Sequence, residues 1–228
     1  MNTLAVLLIL AVAGRCGSVS LPERERMVQE QIEARGVTNA AVLAAMRSVP
    51  RHEFVPVEYR EAAYADHPLP IGHDQTISQP YIVALMTELL ELKPGAKVLE
   101  VGTGSGYQAA ILAAVGAEVS TIEILEPLAK SAADRLKQLG YLKVLVKCGD
   151  GYHGWPEHAP FDGIIVTAAV EPVPPALIEQ LKSGGRLVIP VGPPFAPQML
   201  VLIMKDTTGK ITTRNITTVA FVPLTRKS

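Results

Sequence analysis

The sequence predicts an α/β fold built on a doubly wound, mainly parallel sheet. Strand-like and helix-like segments alternate from about residue 97 to residue 191, and such alternation implies parallel strands joined by crossover helices. Within this stretch, a turn with three glycines follows an apolar strand and precedes a helical pattern. The chain has 228 residues, 48% of them hydrophobic, which is enough for one core. We therefore expect a single domain over residues 22–228, preceded by an apolar extension over residues 1–21.

The extension carries a continuous apolar run from Leu4 to Gly14. This run is too short to span a bilayer as a helix. It resembles the apolar part of a secretory signal, and Ala11-Val12-Ala13 has the small-x-small form of a cleavage site. Against export, no Lys or Arg precedes the run, and Arg15 stands before Cys16 where a lipoprotein signal has a small residue. An exported protein, a plain apolar extension and a start codon assigned too early all remain open.

The elements expected before the alternating region are helical and then irregular. A charged amphipathic helix should run from Pro22 to about Gly36, and Thr38 or Asn39 should cap a second helix over residues 40–46. Residues 49–75 should be irregular. The segment Ser78-Gln79-Pro80 should open a helix that continues to about residue 92, because proline is tolerated in a first turn.

The alternating region and the strands after it follow from periodicity and turn residues. The expected strands are 97–101, 119–122, 143–147, 162–167 and 186–191, and the expected helices between them are 107–115, 126–139 and 174–182. Two last strands, near 198–205 and 211–222, should form a pair joined by a hairpin at Asp206-Thr207-Thr208-Gly209.

The glycine turn, Gly102-Thr103-Gly104-Ser105-Gly106, predicts a ligand site. Glycine tolerates positive φ and lets the backbone approach a ligand closely, and the helix start that follows directs free N–H groups at that ligand. The spacing is one residue tighter than the dinucleotide pattern. Together with Glu100 before the turn, this spacing favours a methyl-donor nucleoside. The alternative is a tight strand–helix connection without a ligand.

Acidic residues follow the next two strands. Glu123 comes about 20 residues after the first glycine, where doubly wound folds hold a ribose, but it could instead cap the following helix. Asp150 and Gly151 follow the third strand, where they could also form a simple turn. Because the carboxyl ends of parallel strands share one edge of a sheet, these residues should face the same ligand.

Composition excludes several classes of function. The formal net charge is −1, from 21 basic and 22 acidic residues. The sequence has no block of basic residues of the kind that binds nucleic acid. Cys16 and Cys148 make no disulfide framework, and the scattered histidines give a metal site no support. A dehydrogenase would need the longer glycine spacing and a placed His or Tyr. A noncatalytic nucleoside-binding domain would be favoured by a broken glycine turn or a missing acid after the second strand, and neither occurs.

Seven segments carry a resemblance to a known family. They are VPRHEFV from Val49, LPIG from Leu69, QTISQPY from Gln75, VLEVGTGSGYQ from Val98, GDG from Gly149, FDGIIVTAA from Phe161 and FVPL from Phe221. In this order they resemble the protein-L-isoaspartate O-methyltransferase family over about residues 22–225. The glycine turn is shared with many methyltransferases, whereas TISQP from Thr76 is far more specific.

The resemblance implies a Rossmann-like S-adenosylmethionine-dependent methyltransferase with N-terminal helices capping the site. The family methylates the free α-carboxyl of L-isoaspartyl residues in damaged proteins and peptides, which starts their repair through a succinimide. We accordingly expect isoaspartyl polypeptides as partners, and no metal, nucleic acid or stable membrane partner. We also expect a cytoplasmic monomer, with export as the alternative. A methyltransferase acting on a different acceptor remains an alternative function.

The resemblance also implies roles for particular residues. Ser78 would be the catalytic residue, its hydroxyl orienting the acceptor carboxylate or the donor, although Ser78 could instead be a helix N-cap. Glu100 and the backbone of Gly102 to Gly106 would face the amino-acid end of the donor. Glu123 would accept from both ribose hydroxyls.

The remaining expected contacts lie at the ends of two later strands. Asp150 would accept from the adenine amino group, with Gly151 leaving room for the ring. Val166, Thr167 and Ala168 would border the acceptor peptide. Because the donor is already activated and the acceptor carboxylate is ionised at neutral pH, the reaction needs no general base. Catalysis should therefore be mostly positioning.

Overall fold

The structure of the chain, a computed structural model, describes residues 20–226. The apolar run from Leu4 to Gly14 and its interpretation as a signal lie outside the described residues. Within residues 20–226, none of the helices is both long enough and apolar enough to cross a bilayer.

The N-terminal region is helical, as predicted. Helix α1, Ser20–Arg26, continues without a break as a π-helical segment, Met27–Ile32, and a 3₁₀ turn, Glu33–Arg35. Gly36 ends this segment at φ +93°, a conformation that glycine adopts readily.

Helix α2, Ala40–Ser48, begins after a side-chain cap. The Oδ1 atom of Asn39 accepts from the backbone N of Ala41 and of Val42, at 3.0 and 3.2 Å. Of the two predicted caps, Asn39 is the correct one, because its oxygen satisfies two N–H groups that have no partner inside the helix.

A short hairpin occupies part of the segment predicted to be irregular. Strands β1, Leu69–Gly72, and β2, Gln75–Ile77, pair antiparallel. The two residues between them, His73 and Asp74, have φ values of +52° and +56°. Positive φ at both central residues is the geometry of a tight hairpin turn, which Asn-Gly or Asp-Gly usually signals. The sequence His-Asp does not carry that signal, so the prediction of an irregular segment was wrong here.

The remaining elements follow in chain order. The strands are β3 Lys97–Val101, β4 Glu118–Glu123, β5 Leu145–Cys148, β6 Phe161–Val166, β7 Leu181–Val191, β8 Gln198–Lys205 and β9 Ile211–Val219. The helices are α3 Pro80–Leu89, α4 Tyr107–Ala114, α5 Glu126–Gln138 and α6 Pro175–Glu179. Four 3₁₀ turns lie at Arg51–Phe54, Val57–Ala62, Gly151–His153 and Pro156–His158.

The main sheet is doubly wound. Its strand order is β5-β4-β3-β6-β7-β8-β9, with parallel pairing from β5 to β7 and antiparallel pairing from β7 to β9. The predicted mainly parallel sheet with a C-terminal strand pair is confirmed. The chain proceeds outward from β3 in one direction and from β6 in the other. The boundary between β3 and β6 is therefore the topological switch point, where open α/β sheets bind ligands.

The sheet separates two apolar cores. Alternate residues of the central strands point to opposite faces, so Val98 belongs to the core under the N-terminal helices, whereas Leu99 and Val101 belong to the core that includes Leu177 of α6. Burial on both faces explains why these strands are continuous apolar runs.

The boundary between α6 and β7 differs from the prediction. Helix α6 ends at Glu179 rather than near 182, and β7 begins at Leu181 rather than 186. Leu181 pairs with Phe161 before a register shift in the β6–β7 ladder. This early pairing brings Gly184 and Gly185 into the strand.

Candidate functional site

A cleft opens at the carboxyl edge of the sheet, where β3, β4 and β6 end. It encloses about 770 Å³, open solvent at its mouth included. Most of the predicted site residues line it together. They are Ser78, Glu100, Gly102, Thr103, Gly104, Ser105, Glu123, Gly151, Thr167 and Ala168.

The glycine turn lies against neighbouring strands and leaves no room for side chains. Gly102 has φ +98°, and a Cβ atom on it would collide with the hydroxyl of Thr167. Its N–H donates to the carbonyl of Ile122 at 2.9 Å. Gly106 was also predicted to face the ligand, but it does not line the cleft. A Cβ on Gly106 would lie 3.2 Å from Cγ of Leu136, so this glycine allows α4 to pack against α5.

Glu123 fixes two loops with one carboxylate. Its Oε2 atom accepts from the backbone N of Gly104 at 2.8 Å, and its Oε1 atom accepts from the backbone N of Leu125 at 3.0 Å. The side chain is only 6% exposed. Leu125 is the residue immediately before α5, so the alternative role at the start of that helix is partly realised. Each oxygen has a second acceptor site, which is free for a ligand in the cleft.

Glu100 is a buried carboxyl that lacks a partner. Its exposure is 0%, it lines the cleft, and neither oxygen has a hydrogen-bond partner among residues 20–226. The pKa of Glu100 is raised from 4.5 to about 8, mainly by burial. The nearby Thr121 hydroxyl lowers this pKa and the Glu123 carboxylate raises it, each by less than burial does. A buried polar group without a partner costs stability, and a ligand that donates a hydrogen bond to Glu100 would offset this cost.

Further hydrogen bonds hold the glycine turn in place. The Thr103 and Thr121 hydroxyls are 2.6 Å apart. Arg135 of α5 donates from Nη1 to the carbonyl of Ser105 at 2.9 Å. The Thr167 hydroxyl donates to the carbonyl of Gly102 at 2.6 Å. These bonds tie the turn to β4, to α5 and to the end of β6, so its shape is set before a ligand binds.

Ser78 is not a helix cap. Helix α3 begins at Pro80, its N-cap residue is Gln79, and the cap makes no side-chain hydrogen bond. Within the described part of the chain, the Ser78 hydroxyl makes no hydrogen bond. It lies half-buried on the wall of the cleft. The capping alternative is therefore wrong, and the hydroxyl remains available for a ligand.

Asp150 serves a local turn. Its Oδ1 atom accepts from the backbone N of Tyr152 at 2.9 Å and caps the short 3₁₀ turn that follows. Its Oδ2 atom lies 3.8 Å from Nε of Arg226. Asp150 does not line the cleft, whereas Gly151 does. A Cβ on Gly151 would collide with the Val101 side chain, so close packing against β3 explains this glycine.

The residues predicted to border the acceptor separate into two groups. Val166 is fully buried in the core and does not line the cleft, which corrects the prediction for this residue. A β-strand alternates its side chains between the two faces of a sheet, and Val166 points into the core. Thr167 and Ala168 line the cleft just beyond the end of β6.

The structure adds two segments that received no role from the sequence. Gln75 to Ile77 of β2 line the cleft from one side, and Val222 to Thr225 line it from another. The C-terminal segment is held by backbone bonds of 2.8 Å from Ala169 N to the Val222 carbonyl and from Leu224 N to the Ala169 carbonyl. Both segments belong to motifs that carried the resemblance, which was the available signal.

A second groove, of about 930 Å³ by the same measure, adjoins the cleft. Thr76, Ser78, Thr167 and Val222 line both cavities. The groove continues between the start of α3 and the segment after β9, where Ile82, Pro197 and Phe221 are among its lining residues. No charged side chain of residues 20–226 lines it.

The side chains of residues 20–226 form no group of three or more His, Cys, Asp and Glu residues placed to hold a metal ion. A doubly wound sheet with this glycine turn, and with acidic residues at two neighbouring strand ends, defines the class of Rossmann-like S-adenosylmethionine-dependent methyltransferases.

Comparison with known proteins narrows the class to a family. The family model described as protein-L-isoaspartate(D-aspartate) O-methyltransferase matches residues 22–228. The protein-L-isoaspartate O-methyltransferase of Opitutus terrae is 57% identical over 228 residues, which are 100% of this chain and 97% of that protein. Protein-L-isoaspartate O-methyltransferase 2 of Polaromonas sp. is 62% identical over 184 residues, which are 81% of this chain and 87% of that protein. The chain belongs to the protein-L-isoaspartate O-methyltransferase family.

Solved structures agree with this assignment. One protein-L-isoaspartate O-methyltransferase superposes with a TM-score of 0.78 at 32% identity, covering 88% of this chain and 65% of that one. A Plasmodium falciparum protein assigned to the same enzyme class, solved in complex with S-adenosyl-L-homocysteine, has a TM-score of 0.75 at 25% identity. That match covers 90% of this chain and 99% of the other.

Proposed function

We propose that this chain transfers the methyl group of S-adenosylmethionine to the free α-carboxyl of L-isoaspartyl residues in damaged proteins and peptides. One observation carries the proposal. Ser78, Thr76, Thr167 and Val222 line both the cleft and the groove. A donor in the cleft and an acceptor in the groove would therefore meet beside the Ser78 hydroxyl.

The cleft residues fit the proposed donor. When bound, S-adenosylmethionine supplies a methyl group on a positively charged sulfur, and its amino-acid end carries an ammonium group. Glu100, buried and without a partner, would accept from that ammonium group, which would remove the cost of burying the carboxylate. The backbone of Gly102, Thr103, Gly104 and Ser105 would lie along the same end of the donor.

Glu123 would hold the ribose. Both of its oxygens are already fixed by backbone N–H groups, so little side-chain entropy would be lost on binding. Gly151 would border the adenine. We retain Asp150 beside it as a partner for the adenine amino group through Oδ2, since only Oδ1 is committed to the local turn.

The acceptor side needs no proton transfer. The α-carboxyl is ionised at neutral pH, so one of its oxygens can bond directly to the methyl carbon while the carbon–sulfur bond breaks and its electron pair stays on sulfur. Ser78 would donate a hydrogen bond to the acceptor carboxylate and hold the attacking oxygen in line. Thr167 and Ala168 would border the acceptor backbone.

We also propose a cytoplasmic monomer, on the resemblance to the family. Cell fractionation with a C-terminal tag, together with light scattering of the purified chain, tests both parts. Recovery in an exported fraction, or a dimer at micromolar concentration, would contradict this part of the proposal.

The function is tested by methyl transfer from labelled donor to an isoaspartyl peptide and to its normal aspartyl twin. The isomerised peptide has one additional methylene in its backbone, which moves the free carboxylate to a different place relative to the chain. We expect transfer to the isoaspartyl peptide only. Equal rates on the two peptides, or no transfer to either one, would contradict the proposal.

A further inference from the structure

The loop between β7 and β8 presents an aromatic side chain to solvent. This loop, residues 192–197 with the sequence Gly-Pro-Pro-Phe-Ala-Pro, is called the Phe195 loop below. Phe195 is 91% exposed, and its φ is +60°. A bulky residue at positive φ is uncommon and costs conformational energy. The backbone at Phe195 therefore adopts a conformation that local preference does not favour, and its ring gains no burial in return.

The base of the loop is fixed to the wall of the acceptor groove. The Gln198 side chain, 2% exposed, donates from Nε2 to the Pro193 carbonyl at 3.2 Å and to the Phe221 carbonyl at 3.4 Å. Its Oε1 atom accepts from the Phe221 backbone N at 2.8 Å. Phe221 and Pro197 both line the groove. One buried side chain therefore joins the loop to the groove.

The loop keeps Phe195 close to the groove. Phe195 is two residues from Pro197, so their Cα atoms are at most about 7 Å apart. Proline fixes φ at Pro193, Pro194 and Pro197, which limits the conformations that the loop can adopt. A contact made by a restrained aromatic ring loses little entropy.

The groove changes in character along its length. Near the cleft it is polar, with Thr76, Ser78 and Thr167. Toward the Phe195 loop it includes Val219, Phe221 and Pro197. With no charged lining residue in the described chain, the groove favours neither acidic nor basic partners. Its apolar end matches an apolar side chain on an extended polypeptide.

We propose that Phe195 determines acceptor specificity by contacting an apolar side chain of the bound polypeptide, near the isoaspartyl residue in sequence. This inference rests on the proposed function and adds a preference for acceptor sequence. The occupant of the apolar end of the groove is the acceptor polypeptide itself, because the groove is continuous with the site where its carboxyl would be methylated.

The test is a set of isoaspartyl peptides that carry either Leu or Ser at successive positions on each side of the isoaspartyl residue. For the wild-type chain, we expect Leu at one position to lower KM by about tenfold relative to Ser, at the low end of the discrimination given by apolar pockets. Phe195→Ala should remove this difference. It should leave kcat, KM for the Ser peptides and the affinity for S-adenosylmethionine unchanged, and Phe195→Leu should restore part of the difference.

Leu142→Ala is the matched control. Leu142 is also a large exposed apolar residue, at 73%, but it precedes β5 at the opposite edge of the sheet. The Leu142→Ala variant should keep the preference for peptides that carry Leu. A wild-type chain that methylates every isoaspartyl peptide with the same KM, or a Phe195→Ala variant that keeps the preference, would overturn this inference alone. Absence of transfer to all of the isoaspartyl peptides would overturn the proposed function and this inference with it.

Discussion

The donor cleft and the acceptor groove meet at Ser78, yet they are built differently. The cleft is formed by the ends of parallel strands and contains two buried carboxyl groups, those of Glu100 and Glu123. The groove is formed by the β1–β2 hairpin, the start of α3 and the C-terminal segment, and no charged side chain of the described residues lines it. The cleft is therefore suited to one ligand with fixed charges. The neutral groove is suited to polypeptides of varied sequence that share one modified residue.

The two cavities also differ in how their walls are held. Side chains from three elements tie the glycine turn in place, through Thr121, Arg135 and Thr167. At the far end of the groove, one buried residue, Gln198, joins the Phe195 loop to the wall. Substitutions in the cleft should therefore change affinity for the donor, whereas those beyond Ser78 should change use of the acceptor.

The largest effect is expected at Glu123. Glu123→Gln removes the negative charge and places an amide NH₂ group against one of the two backbone N–H groups that the carboxylate binds. Loss of one charge-assisted hydrogen bond between Glu123 and the ribose of the donor costs about 1.5–3 kcal/mol of binding free energy. Affinity for S-adenosylmethionine should therefore fall about ten- to a hundredfold in calorimetric titration. Glu126→Gln, at the exposed first turn of α5, is the matched control, and unchanged affinity in folded Glu123→Gln would remove Glu123 from the donor site.

Ser78 lies where the two cavities meet, and substitutions at this residue test its role in catalysis. Because Ser78 is not a cap, Ser78→Ala and Ser78→Gly should each lower kcat at least about tenfold, the loss expected when one hydrogen bond is missing from the transition state. The melting temperature should change little, and Ser78→Thr should keep much of the activity. The measurements are methyl transfer at saturating donor and thermal melts of the same samples. A folded Gly variant with wild-type turnover would show that Ser78 has no part in catalysis.

Glu100 should make donor binding depend on pH. With a pKa of about 8 in the free protein, this carboxyl is mostly protonated at neutral pH, and a cationic ligand requires the ionised form. Binding then releases a proton, so affinity rises with pH below 8, by up to about ninefold from pH 6 to pH 7. From pH 6 to pH 7 the α-amino group of the donor stays mostly protonated, because the ordinary pKa of such a group is about 7.7–8.0. Titrations in two buffers of different ionisation enthalpy measure the proton release, and Glu100→Gln should abolish it. A pH-independent affinity in the wild-type chain would contradict this role.

The smallest effect on catalysis is expected outside both cavities. Asn39→Ala removes the cap of α2 and should lower the free energy of unfolding by about 1 kcal/mol. Donor affinity and turnover should stay at wild-type values at temperatures where the variant is folded. Denaturant unfolding and methyl transfer on the same preparation check both parts, and a loss of turnover in folded protein would mean that α2 shapes the site.

Much of the lining of the cleft could be predicted before the fold was known. Glu100, the glycine turn and Glu123 lie at the ends of strands whose apolar runs are clear, and parallel strands bring such ends to one edge. The acceptor side could not be derived in the same way. The turn at His73 and Asp74 has positive φ at residues that do not signal a hairpin, and the C-terminal segment reaches the cleft only through backbone bonds to Ala169.

Individual roles depended on contacts that adjacent sequence does not specify. Gly106 and Val166 belong to the predicted motifs, but packing against Leu136 and strand alternation keep them away from the cleft. Asp150 uses one of its two carboxylate oxygens for a local cap. Ser78 was ambiguous because a serine two residues before a helical proline suits a cap equally well. The position where α3 begins excludes the cap, and the catalytic role stays a prediction.

The sequence by itself determined the doubly wound fold, the donor-binding edge and the family, because strand periodicity, glycine spacing and motif order are local properties of the chain. The tertiary structure decided which of the motif residues face the cleft, that Glu100 is buried without a partner, and that the groove joins the cleft at Ser78. Those properties arise where segments distant in the chain pack together, and burial and hydrogen-bond partners exist only once that packing is complete.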